Sequence, residues 1–67
     1  MKEIRKKVKP LAELLEYQIR VGMISYEGGD KIWKTTLKNP DIVDAVMDIL
    51  EREYPEDEVM RTFERLL

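Results

Sequence analysis

Met23-Ile24-Ser25-Tyr26-Glu27-Gly28-Gly29-Asp30-Lys31-Ile32-Trp33-Lys34-Thr35-Thr36 is the stretch on which the fold turns. Adjacent glycines at its centre supply the positive φ angles of a two-residue hairpin loop. The segments on either side, 23–26 and 31–36, are rich in β-branched and aromatic residues, as strands are. The expectation is a β-hairpin turning at Gly28-Gly29, with Ile24 opposite Trp33 and Tyr26 opposite Lys31. That register puts Ile24, Tyr26, Trp33 and Thr35 on one face, and Met23, Ser25, Ile32 and Lys34 on the other. A two-stranded sheet is marginal alone, so one face must cover helices. Trp33 reads as the largest core anchor, which leaves Met23 and Ile32 for the surface. The free edges of such a ribbon also invite strand addition by a partner or a second copy.

Upstream, Leu11, Leu14, Leu15, Gln18 and Ile19 recur at helical spacing behind Pro10, a residue tolerated in a first turn. The expected helix runs from Pro10 to Arg20, and Ile4 and Val8 offer an earlier start. Gly22 ends the pattern. Downstream, Asn39-Pro40-Asp41 reads as a helix start, with Asn39 as cap, Pro40 in the first turn and Asp41 against the positive end of the dipole. Ile42, Val43, Val46, Met47 and Leu50 form its stripe, and Tyr54-Pro55 stops it. A last helix begins at Pro55, with Glu56, Asp57 and Glu58 in its first turn and Val59, Met60, Phe63, Leu66 and Leu67 as its stripe. The predicted class is α+β: one small domain over residues 1–67, ordered helix, β-hairpin, helix, helix. Residues 1–9 are a candidate flexible basic arm.

Composition excludes more than it names. The chain has no His and no Cys, and Ser25 is its only serine. It thus lacks a thiolate nucleophile, the usual neutral-pH acid–base group and the soft ligands of zinc and transition-metal sites. No enzyme, no metal site and no cofactor is expected. A chain of 67 residues has a thin core and here no disulfide or zinc staple, so self-association or a partner is the expected supplement. Charged residues make up 39% of it, Gln18 is the only glutamine and Asn39 the only asparagine. This is the balance of hyperthermophile proteins, rich in ion-pairing residues and poor in thermolabile ones. No apolar run approaches the roughly 18 residues of a membrane span. No apolar stretch follows the basic start, so no secretory signal is read and cytoplasmic residence is expected.

The charge is segregated. Residues 2–9 carry five cations and one anion, whereas residues 41–58 carry eight acids and one Arg. The acidic run has no D-x-D-x-D-G spacing for calcium. Asp44, Asp48 and Glu51 read as a solvated helix face. With a net charge of −2, the whole chain is no polyanion binder. The arm suits an acidic partner surface or, through five cations without an interleaved aromatic, weak salt-sensitive contact with phosphates. The expected function is binding of another protein through apolar surface, with Met23, Ile32, Met60 and Phe63 as anchors. Ile4, Arg5, Lys6 and Lys7 complete the interface, the cations steering approach.

Two further patterns bear on the partner. Residues 31–67 imitate the strand–helix–helix order of ribbon–helix–helix dimers, with Lys34 and Lys38 flanking Thr36, although Glu53-Tyr54-Pro55 is not that family's interhelix signature. A small nucleic-acid-binding regulator acting as a dimer is the alternative on this ground. In length, in Lys/Glu/Ile-rich character and around KIWKTTLKNPDIV (residues 31–43), the chain resembles the small Thermococcales archaeal inhibitors of the DNA sliding clamp, proliferating cell nuclear antigen. That resemblance implies an archaeal replication inhibitor that occupies the clamp's partner-docking groove. The usual clamp-binding peptide, Gln-x-x-aliphatic-x-x-aromatic-aromatic, is absent. Gln18 leads only to Val21, Ile24 and Ser25, so no binding residue carries over by motif.

Overall fold

The computed structural model describes the backbone of residues 2–67 and the side chains of residues 8–67. Its elements are α1 (Lys2–Arg20), α2 (Tyr26–Lys38), a 3₁₀ turn (Pro40–Ile42), α3 (Val43–Glu51) and α4 (Glu56–Arg65). No strand occurs among the described residues. The α+β expectation is therefore corrected: the domain is all-α, and the predicted hairpin is a short link followed by a helix.

Local and long-range contacts together account for the helix. Ser25, extended at φ −69° and ψ 158°, is the N-cap of α2, and its Oγ accepts the Gly28 N–H at 3.1 Å. Asp30 and Lys34 form an i,i+4 ion pair at 3.1 Å. Gly29, Ile32 and Thr36 are buried at i, i+3 and i+7, a helical stripe in which one apolar place is taken by glycine. A Cβ on Gly29 would lie 2.5 Å from Ile19 Cδ1, so the missing side chain lets α1 and α2 approach closely. The chain reversal occurs earlier, at Gly22, whose φ is +82°. There the Gly22 N–H donates to Ile19 O at 3.2 Å and the Met23 N–H to Gln18 O at 2.9 Å, the two bonds of a Schellman ending.

Other boundaries differ in detail. α1 includes Pro10 in its interior rather than its first turn. Asn39 does not cap the helix that follows it. Its backbone N–H and its Nδ2 donate back to Thr35 O, at 3.0 and 3.1 Å, and close α2 instead. Pro40 and Asp41 then fall in the 3₁₀ turn that precedes α3.

The core is formed by Leu11 and Leu15 of α1, Ile24 of the link, Ile32 of α2, Val43, Val46, Ile49 and Leu50 of α3, and Val59 and Phe63 of α4. Leu14, Trp33 and Met47, expected inside, pack against it half-buried. Gln18 is buried on the same side of α1, and its Nε2 donates to Leu50 O at 2.8 Å. One charge-free hydrogen bond thus ties the last turn of α1 to the end of α3. Among the described residues no helix is long and apolar enough to cross a membrane.

Candidate protein-interaction surface

The anchors expected from the sequence do not converge. Ile32 and Phe63 are 0% and 1% exposed, and both are corrected from partner contacts to core residues. Ile32 takes the inner place expected of Trp33 because residues 31–36 follow the helical period, not the strand period. Met23 is half-buried in the α1–α2 link, and Met60 is half-buried against the core from α4. The side chains of Ile4, Arg5, Lys6 and Lys7 lie outside the described residues. With no strand among the described residues, strand addition at a hairpin edge has no place there.

A different apolar surface lies between α1 and α2. Ala12, Leu15, Glu16 and Ile19 of α1, and Tyr26, Gly29, Asp30 and Trp33 of α2, line an open groove of about 320 Å³. Each helix contributes at i, i+3, i+4 and i+7, two turns of one face. Gly29, against which Ile19 packs, lies at the floor. Tyr26 stands beside it 73% exposed, and Trp33 is half-buried. Leu37, 47% exposed, continues the Tyr26 and Trp33 side of α2 at the next turn. Val8 continues the Ala12 side of α1 by its i,i+4 spacing. The signal was present in the sequence as Tyr26, Trp33 and Leu37 at i, i+7 and i+11, but only in the helical period.

The rim of the groove carries both signs of charge. Arg20 Nη2 meets Glu16 Oε1 at 2.9 Å on α1, matching the Lys34–Asp30 pair on α2. The first pair is well exposed and the second partly so, and both contribute little to stability in themselves. The α3–α4 side differs. Asp41, Asp44, Asp48, Glu51, Glu53, Asp57 and Glu58 are exposed there. Arg52 meets Asp48 at 2.9 Å and Arg61 meets Glu58 at 3.7 Å. A hydrogen bond to the Tyr54 hydroxyl, and then the Asp48 carboxylate, hold the Arg52 guanidinium above its ordinary pKa.

Ser25 and Glu56 form the other polar cluster. Glu56 Oε1 accepts the Ser25 N–H at 3.1 Å, and Glu56 Oε2 accepts the Ser25 hydroxyl at 2.6 Å. In an ordinary capping box, the carboxylate that takes the cap N–H comes from the third helical position. That position here is Gly28, and a Cβ on it would lie 2.5 Å from Glu56 Oε2. Glu56 fills the role from the first turn of α4, so the box is shared between two helices. The sole serine is thereby a structural cap. Among the described residues no group of three or more carboxylates is placed to hold a metal ion. No family model, no curated protein and no solved structure matches the chain.

Proposed function

We propose that this chain is a non-enzymatic protein-interaction module that acts through the apolar α1–α2 face, with Tyr26 and Trp33 as its anchors. The observation that supports this reading is the groove itself: aromatic side chains flank a glycine floor, outside the one small core. Exposed aromatic anchors around a concave apolar centre are the usual makings of a binding hot spot. The sequence has no His and no Cys, the usual neutral-pH acid–base group and soft metal ligands, which favours a reading of binding over one of chemistry. The resemblance carried by residues 31–43 supplies the partner of this reading: the DNA sliding clamp, approached at its partner-docking groove, in the cytoplasm. Inhibition would then be competitive, by occupation of the site that replication proteins use.

The test is titration of the full chain into the sliding clamp and, separately, into duplex DNA, each at low and moderate salt. Apolar anchoring keeps its affinity as salt rises, whereas phosphate-led binding weakens steeply. The expected result is salt-tolerant clamp binding, weakened at least about tenfold by Tyr26→Glu, the loss typical of an aromatic anchor. Micromolar DNA binding at physiological salt with no clamp binding would overturn the reading in favour of a nucleic-acid regulator.

A further inference from the structure

We infer that the α1–α2 face also pairs with itself: two copies associate groove to groove about a two-fold axis, so the free protein is a weak, reversible dimer that masks its own binding site. The regulatory half of this inference rests on the reading that this face meets the partner. Self-association itself does not.

Charge selects the second copy as occupant. A two-fold interface brings the same patch from both copies together, so the patch must be self-complementary. Beside the groove, Glu16 and Asp30 are balanced by Arg20 and Lys34. Both acids are neutralised within their own copy, so a second copy meets no net repulsion. The acidic α3–α4 side fails this condition. From Asp41 to Arg65 there are nine acids against Arg52, Arg61 and Arg65, so two such faces repel. The basic residues 2–9 equally exclude themselves as a self-pairing patch. Of the surfaces described, the α1–α2 face alone is both apolar and electrically balanced.

Shape points the same way. Matched i, i+3, i+4, i+7 positions on two neighbouring helices form half of a four-helix arrangement. The Tyr26 ring stands out beside the Gly29 floor, which supplies a projection and a recess on the same patch. Size sets the strength. From Val8 to Ile19 and from Tyr26 to Leu37 each helix offers a length of about 17 Å, at 1.5 Å per residue. Two helices of that length give a contact at the low end of specific interfaces, where association is weak and exchange fast. A partner that binds the same face must first separate the pair. Its apparent affinity therefore falls as the concentration of this chain rises.

Sedimentation velocity of the full chain from about 1 μM to about 1 mM tests the pairing without any partner. The mass is expected to rise from 8.0 kDa towards twice that value, with little change in moderate salt. Tyr26→Glu should weaken dimerisation at least about tenfold. Tyr26 is mostly exposed and Glu suits a first helical turn, so helix content by circular dichroism should be unchanged. Leu37→Glu is the second variant, with the same expected direction. Leu67→Glu, an exposed terminal change away from the groove, should leave the dimer intact. A chain that stays monomeric throughout, or a dimer that both groove variants leave untouched, would overturn the inference. Clamp titration at chain concentrations below and above the midpoint separates the two ideas. A dimer without clamp binding removes only the proposed function, and clamp binding by a monomer removes only the self-pairing.

Discussion

Glu53 has a φ of +56°, the one positive value among the described non-glycine residues. It follows α3 in the place usually given to glycine, and its N–H donates to Leu50 O at 3.1 Å. A Cβ in this left-handed region costs free energy that glycine avoids. Glu53→Gly is therefore expected to stabilise the domain by about 0.5–1 kcal/mol, raising the thermal midpoint by several degrees in so small a chain. Gly22→Ala, at φ +82°, should shift it by a similar amount in the opposite direction. Thermal melts of both variants check the pair; matching shifts of the same sign would contradict the backbone argument. Gly22 was legible in the sequence because it interrupts an apolar stripe of helical spacing. Glu53 was not, since nothing in a charged residue announces a left-handed backbone.

At the scale of elements, the three helices read from strong stripes and proline boundaries are present, and the missed one is α2. Its sequence points away from a helix: glycines at 28 and 29 and threonines at 35 and 36 all lower helix propensity. What holds it is mostly long-range. Gly29 meets Ile19 of α1, and the Ser25 cap is completed by Glu56 of α4, thirty-one positions away. Tertiary contacts of that reach override local preference and leave little trace in a window of sequence. The local marks that remained, Ser25 as a cap and Asp30 with Lys34 at i,i+4, were outweighed by the Gly-Gly pair. A double-mutant cycle measures the shared cap. Ser25→Ala alone should cost about 0.5–2 kcal/mol. Glu56→Gln should cost less in that background than in the wild type, with a coupling of at least about 0.5 kcal/mol. Strict additivity would show that the two helices are capped independently.

Across the whole molecule, the inner surface was more legible than the outer one. Leu11, Leu15, Val46, Leu50 and Val59 are buried as their spacing demands. The outer apolar face was hidden because it is built from two helices, one of which was read as strands. Gln18, the polar member of the α1 stripe, lies in the core with its amide satisfied by Leu50.

The two side-chain amides of the chain also bear on its chemical lifetime. Heat commonly destroys proteins by converting Asn and Gln to acids, the liability that hyperthermophile compositions avoid. For asparagine the fast route is attack of the next residue's backbone nitrogen on the side-chain amide. Pro40 follows Asn39 and has no N–H with which to complete that ring closure. The Asn39 amide is meanwhile held on Thr35 O, and the Gln18 amide is 2% exposed. Prolonged heating below the unfolding temperature should therefore leave both amides intact by peptide mass spectrometry. Pro40→Ala should make position 39 the first to deamidate, and early loss of Asn39 in the unaltered chain would contradict this account. The proline that opens the turn into α3 thus also guards the covalent integrity of the residue before it.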